Sequence, residues 1–422
     1  MNKRRSVAWS LGLGFVVVSG FLGLLIWGNL NYARQNPGGN DFLVHWVGTR
    51  SFLVDGSSPY SDQTALRIQI LAYGRPALAG EHQLRVAYPL YSVILFFPFA
   101  LFSDFTVARA VWMTTLEVGL ILLAILTIQL AGWKPNLFML VIFILFSLLW
   151  YNAVRPVING NAVILVSLGI VGAMLAIRNK ADELAGILLA LTTIKPQVVL
   201  VFLIFIVFWS TYNRRWRLIA WLIGTTLILA AIAWFLIPDW ILQNIREIIR
   251  YPGYNPPGTP GAALATWFPA MGQRLGLGLT AIIMVVLAFE WIVGRAADFR
   301  GFLWIACLTL VGSQWIGIQT DPGNFIVCFP TIALVFALID ERYRSRGWVL
   351  VILIMLLIGA GLWVLFVETI DYSLGQPQQN PIMFFPLPAL LLLLLYWIRW
   401  WAFHPGSNWY DLVFDRENPK MR

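Results

Sequence analysis

Charge is scarce in this chain. Only 12% of its 422 residues are Asp, Glu, Lys or Arg, against about 25% in ordinary soluble domains, which argues against a single water-soluble globule. Cysteine is scarcer still. Cys307 and Cys328 both lie in apolar stretches, so no disulfide framework, zinc site or thiol nucleophile is indicated. The three histidines, His45, His82 and His404, are too few for a His-rich metal centre, although a carboxylate-bound divalent ion stays open. No Walker A loop, GxGxxG strand–turn–helix or GxSxG elbow occurs. Nucleotide-driven transport and α/β-hydrolase chemistry therefore lack support. No cofactor is expected.

What the chain has instead is apolar length. Hydrophobic residues make up 59%, and the mean hydropathy is +0.76. Repeated apolar runs of roughly 18–25 residues predict an all-α polytopic membrane protein. Tryptophan is abundant, at 21 residues, as expected when indoles sit at both membrane interfaces. The first run, residues 6–30, follows Lys3-Arg4-Arg5. It is too long for a signal-peptide core and no small-x-small cleavage site follows, so it reads as a retained span. The net charge of +9 is a topology signal rather than a sign of nucleic acid, because the cations fall in short clusters between spans.

Those clusters are Lys3-Arg4-Arg5, Lys134, Arg178/Lys180, Arg214-Arg215/Arg217, Arg295/Arg300, Arg342/Arg344/Arg346, and Arg399 with the tail. Placing them all in the cytosol predicts about 12 transmembrane helices: 7–30, 106–131, 136–153, 161–177, 183–194, 197–210, 216–237, 277–294, 301–318, 324–339, 347–366 and 382–402. Both termini are then cytosolic, and two large outer loops result, 31–105 and 238–276. Residues 86–102 are apolar but interrupted by Pro89 and Pro98, and read as a membrane-dipping part of the first loop. The alternative makes 86–102 a true span and 183–210 one kinked span, which inverts residues 103–182. In the first loop, Asn40 is expected to cap an amphipathic helix lying on the membrane, with Phe42, Leu43, Trp46, Val47 and Leu53 on its apolar face. The aromatic, turn-rich stretch from Tyr251 to Gly258 suits a flexible flap in the second loop. Residues 1–340 form the expected core, and 341–422 add C-terminal helices and a short cytosolic tail.

Several polar residues stand out against this background. Asp41 opens the first polar loop. A carboxylate there can take a proton from an attacking hydroxyl, or Asn40-Asp41 can simply cap the helix. Lys195, in Lys195-Pro196-Gln197, sits between two short apolar segments. Burying an ammonium costs about 2.5–3.5 kcal/mol on insertion scales, so it either serves a lipid phosphate or snorkels to the interface. Arg155 can grip a phosphate bidentately, and Asn159 and Asn161 can bind sugar hydroxyls, or the whole stretch is an interhelical turn. Glu117, inside a span without an obvious partner, reads as a structural polar contact. Gln319-Thr320-Asp321-Pro322-Gly323-Asn324 is a polar turn, with Asp321 and Asn324 as candidate substrate contacts. His45 lies one turn after Asp41, on the same helix face.

Taken in order, these pieces resemble the C-type membrane glycosyltransferases, and within them glycosyltransferase family 87, the polyprenol-phosphate-mannose-dependent α-mannosyltransferases. Asp41 matches the acidic residue after the first span, with Trp46 in the helix that follows. Asp55-Gly56 through Pro59-Tyr60 resembles a Gly-x-x-Pro-Tyr element. Tyr88-Pro89 and the later Pro98 match a Tyr-Pro segment. Gly160 stands where the family has Gly-Gln-x-Asn. Ala185-Gly186 to Lys195-Pro196, then Arg214-Arg215-Trp216, match its Ala-Gly…Lys-Pro stretch and the basic turn beyond. Asn161 and Val163 depart from the family's Gln and Asn. Asp321-Pro322-Gly323-Asn324 stands where a histidine is frequent.

The resemblance implies a C-type glycosyltransferase fold in the cell membrane with an active site on the outer face. It implies transfer of a hexose, mannose first, from a polyprenyl-phosphate-linked sugar to a lipid or glycan acceptor. Asp41 would be the general base, Lys195 and Arg155 the donor-phosphate ligands, and Tyr60, Tyr88, Asn159, Asn161, Asp321 and Asn324 the substrate contacts. Metal is not expected, because one phosphate can be neutralised by Lys and Arg. A secondary transporter or flippase of a lipid-linked sugar is the alternative. It is disfavoured by the absence of an internal repeat and by the long polar loop after span one.

Overall fold

A chain this apolar can satisfy its backbone in lipid only by internal hydrogen bonding, which favours helices. The computed structural model describes residues 2–255, 258–343, 346–372 and 379–404, with side chains from residue 14 onward. The side chains of Lys3-Arg4-Arg5, Pro256-Pro257, Arg344 and the expected tail after His404 lie outside the described residues. Among the described residues the regular structure is helical throughout.

Seven helices there are long and apolar enough to cross a bilayer: Gly14–Gln35, Phe105–Ala131, Trp216–Leu236, Gly272–Val293, Pro322–Tyr343, Gly347–Thr369 and Pro381–Phe403. The Leu137–Leu149 and Tyr151–Asn159 pair, bent by 46°, makes an eighth if counted as one span. The expected number of twelve is therefore not reached by length. Expected spans 161–177, 183–194, 197–210 and 301–318 are helices of 16, 11, 17 and 14 residues. At about 1.5 Å per residue these fall short of a ~30 Å hydrocarbon core. The apolar stretch 86–102 is likewise short, forming a 3-10 turn at Leu90–Ser92 and a helix at Val93–Ala100 that contains Pro98.

The described chain divides into two interleaved units. The first comprises Met1–Leu122, Val154–Leu165 and Ile228–Pro256. Its N-terminal span carries exposed Phe15, Leu24 and Trp27. Asn29 ties that span to the Phe105–Ala131 helix by donating to Thr114 Oγ1 (3.0 Å) and Glu117 Oε2 (2.8 Å). Glu117 therefore has a partner, as a structural polar contact requires. The core of this unit is aromatic. Phe42 stacks on Trp112 at 5.3 Å and on Phe105 at 5.9 Å, while Phe99 meets the Trp112 ring edge-on at 4.8 Å.

This core overturns the expectation for the first loop. The Asn40–Asp55 helix does not lie on a membrane surface, since residues Phe42 to Thr49 are all buried. The helix packs on both faces over Phe42–Thr49, where Gly48 lets Val86 and Pro59 close against the second face. Nor does Asn40 cap it. The N-cap is Gly39 in left-handed geometry (φ 77°), and no side chain caps the helix there.

The second unit comprises Leu123–Ala153, Val166–Leu227 and Pro257–Arg422. At its centre the Phe299–Gly312 helix is buried from Gly301 onward, and Pro322 to Ile339 is buried throughout. A segment apolar on all sides belongs in the middle of a bundle. Buried indoles anchor it: Trp304 donates to the Leu395 carbonyl at 2.8 Å and Trp315 to that of Phe384 at 2.9 Å. The helices Gly347–Thr369 and Pro386–Phe403 belong to this same unit.

Candidate active site

Asp41 sits in the first turn of the Asn40–Asp55 helix, half-buried. Its Oδ2 accepts a hydrogen bond of 2.9 Å from Asn161 Nδ2. Asn161 is itself oriented, because its Oδ1 accepts from the Val163 backbone N–H at 3.0 Å. With the amide oxygen committed to the backbone, the nitrogen must face the carboxylate. Asn161, expected to touch sugar, thus holds the carboxylate in place.

Two residues that the sequence argument passed over build the frame around this pair. Arg109 is buried, with 2% of its surface exposed. It donates to the Asn36 carbonyl at 2.7 Å and to the Ile158 carbonyl at 3.2 Å. Trp112, one turn on, donates to the Gly160 carbonyl at 2.8 Å. One helix therefore grips the chain just before Asp41 and just before Asn161. The signal that could have found Arg109 was an arginine within an apolar run, since such cations are rarely placed there without a task. Gly160 completes the frame. Its φ of 73° is left-handed, and any side chain there would run into Phe42 Cβ.

The neighbouring groups are polar and aromatic. His45 is buried between Tyr88 and Phe96, with ring centroids at 4.0 and 4.5 Å. Tyr60 donates through its hydroxyl to the Tyr88 carbonyl at 2.7 Å. Burial raises the Tyr88 phenol well above its usual range, and the nearby Asp41 charge pushes it further. Burial likewise raises Tyr60. Both phenols keep their protons at neutral pH, and the one proton of Tyr60 is already given to the Tyr88 carbonyl, which leaves its oxygen as an acceptor. Arg155 and Asn159 lie half-exposed on the last turns of the Tyr151–Asn159 helix, in the same unit as Asp41. His82 has its imidazole pushed down to about 4 by burial, against a hydrogen bond with Asn255 that raises it. No group of three or more metal-ligating side chains occurs among the described residues.

The second unit holds a separate polar cluster. The helices Asp182–Thr192 and Pro196–Tyr212 break at Lys195 (φ −128°, ψ 70°), whose side chain is buried. The ring of Pro196 rules out continuing the helix through Lys195. Lys195 Nζ donates to Asn324 Oδ1 at 2.6 Å, and Asn324 Nδ2 donates to Thr320 Oγ1 at 3.0 Å. The expected outer turn at 319–324 is thus largely buried: Thr320 and Asn324 are inside, and Asn152 donates to the Pro322 carbonyl at 2.6 Å. The turn folds inward because its backbone finds partners there, including the Gly258 carbonyl, which accepts from Thr320 N–H at 2.7 Å. Asp321 accepts from the Gly323 N–H at 2.6 Å and caps the 3-10 turn Pro322–Cys328. Lys195 and Asn324, chosen separately from the sequence, are therefore direct partners.

Residues 87–314 match the family model of glycosyltransferase family 87. This range contains Tyr88, Arg155, Asn159, Asn161 and Lys195, and begins after Asp41. An α-(1→3)-arabinofuranosyltransferase of Corynebacterium glutamicum is 22% identical over 273 residues. That stretch is 61% of this chain and 61% of the relative, so the chain spans less than two thirds of the relative's length. No solved structure matches.

Proposed function

Because the chain belongs to glycosyltransferase family 87, we propose that it transfers a hexose, mannose first, from a polyprenyl-phosphate donor to a lipid or glycan acceptor on the outer face of the cell membrane. The observation that carries this reading is the Asp41–Asn161 pair. A carboxylate at the head of a buried helix is held by an amide whose own orientation is locked by a backbone N–H. A general base has to be positioned before it is useful.

In this mechanism an acceptor hydroxyl gives its proton to Asp41 as its oxygen forms a bond to the anomeric carbon. The bond from that carbon to the phosphate oxygen breaks, and polyprenyl phosphate leaves with the electron pair. A single displacement inverts the anomeric centre. The neutral phenol of Tyr88 is a candidate donor to a sugar oxygen, and the hydroxyl oxygen of Tyr60 a candidate acceptor from a sugar hydroxyl. Lys195, with Asn324 as its neighbour, is the proposed ligand for the donor phosphate, and Arg155 a second one. Asn159 and Asp321 are proposed substrate contacts, Asp321 with the added task of capping its turn.

The donor has a second reading. The relative from Corynebacterium glutamicum is named as an arabinofuranosyltransferase, which supports an arabinofuranosyl group in place of the hexose. The base and leaving group are unchanged in that case.

The test is Asp41→Asn in reconstituted membranes, assayed with polyprenyl-phosphate mannose and polyprenyl-phosphate arabinofuranose side by side. The amide accepts no proton, so transfer should fall by about 10²–10⁴-fold, with thermal stability and donor binding retained. Near-wild-type transfer would remove Asp41 from the mechanism. Which donor supports turnover in the wild-type protein decides the sugar.

A further inference from the structure

The Trp240–Arg250 helix is built inside out. In a helix packed on a soluble core the apolar residues face inward. Here the residues turned inward are Asn244 and Glu247, at 6% and 2% exposure, with Trp240 beside them. The residues turned outward are Ile241, Leu242, Ile245, Ile248 and Ile249, with Leu242 at 68% and Ile249 at 74%. Their spacing places them on one continuous face.

The inward polar face is fully engaged. Asn244 donates to the carbonyls of Ala87 and Tyr88 at 3.0 and 3.1 Å. Glu247 accepts from Arg85 at 2.7 Å and from Arg250 at 3.2 Å. This face is therefore fixed to the protein, and the isoleucine face is the one left to the surroundings. The helix begins four residues after Leu236, the end of the apolar Trp216–Leu236 helix, which is long enough to cross a bilayer. Trp234, Phe235 and Leu236 at that end are exposed as well, so the stretch just before the helix also presents apolar side chains outward. Arg246 and Arg250 are exposed beside the isoleucine face.

We propose that this helix is a membrane-surface element. Its isoleucine–leucine face lies in the lipid interface, and Arg246 and Arg250 reach the phosphate groups of the same leaflet. An amphipathic helix with cations beside an apolar face binds a lipid surface in this way. Its inward face holds the 85–88 segment, and Tyr88 contacts His45, one turn from Asp41. The helix thereby sets the depth of the Asp41 side chain at the level of lipid headgroups, where a lipid-linked sugar would be presented.

Single cysteines at Leu242 and Ile249, with Gln63→Cys as an exposed control, test this in the full-length protein. Each is labelled with an environment-sensitive fluorophore and placed in phosphatidylcholine/phosphatidylglycerol nanodiscs with or without nitroxide-labelled lipid. Native Cys307 and Cys328 are buried and should not label. The nitroxide lipid should quench labels at 242 and 249 at least about twofold and leave the control unchanged, as expected for side chains seated in the interface. Equal quenching by aqueous iodide at all three positions would overturn the proposal. Shielding from iodide without nitroxide quenching would also overturn it, by placing a protein partner on this face. The measurement reads depth alone, so it stands whether or not Asp41 proves to be the base.

Discussion

Lys195 shows how a single side chain carries two demands. Buried beside Asn324, it satisfies an amide oxygen, and it is the proposed cation for the donor phosphate. Truncation to alanine would open a hole and strand that oxygen, at about 1–3 kcal/mol. Methionine and arginine are therefore the better probes. Lys195→Met should weaken donor binding by about 10–100-fold, the loss of one charge-assisted contact worth about 1.5–3 kcal/mol. Lys195→Arg should recover part of it. Titration of purified variants with polyprenyl-phosphate sugar checks this. Binding by the Met variant equal to wild type would leave Lys195 a structural residue. At this scale the sequence singles out polar residues in apolar surroundings, and the structure shows which of them meet. Asn161 was expected to contact sugar, and the structure adds that its amide donates to Asp41 and accepts from the Val163 N–H. A partner 120 positions away cannot be read from local spacing.

Among the elements, the turn between the Tyr151–Asn159 and Val163–Arg178 helices decides how Asp41 is held. Gly160 accepts Trp112 through its carbonyl and lies against Phe42 with a left-handed backbone. Gly160→Ala is expected to cost about 2–4 kcal/mol, from the left-handed strain and from overpacking against Phe42. It should lower the thermal midpoint and reduce transfer more than it reduces donor binding, because it moves Asn161. Unchanged stability would show that the turn has room that the Phe42 contact denies. The element most misjudged from sequence is Asn40–Asp55. Its apolar spacing fits a surface helix, but Phe42 to Thr49 are buried on both faces, with Gly48 admitting Val86 and Pro59. Within the expected outer loop 238–276, Trp240–Arg250 is a helix whose polar face is the buried one.

For the molecule as a whole, the charge pattern makes a claim about sidedness that is still to be measured. Residues 31–105 and 238–276 are expected on the outer face. Ser57 is a sound labelling position in the first. In the second, Gly258 is not, because a side chain there would collide with Gln319. Gly253 has open space around it and is exposed. Ser57→Cys and Gly253→Cys should both react with a membrane-impermeant maleimide added to intact cells. Reaction only after permeabilisation would invert the topology and put Asp41 in the cytosol. The transporter alternative keeps no support from the family match.

The class of molecule was determined by the sequence alone. Long apolar runs with few charges leave helices in a membrane as the only economical state for the backbone, and the order of short motifs from Asp41 to Lys195-Pro196 pointed to a family whose model then matched more than half of the chain. These are properties of local composition and of order along the chain. Which polar groups meet was decided by the tertiary structure. Asp41 meets Asn161, Lys195 meets Asn324, and Arg109 clasps two carbonyls from separate stretches. Each pair joins residues far apart in sequence, and a hydrogen bond depends on ångström-scale placement that only packing supplies.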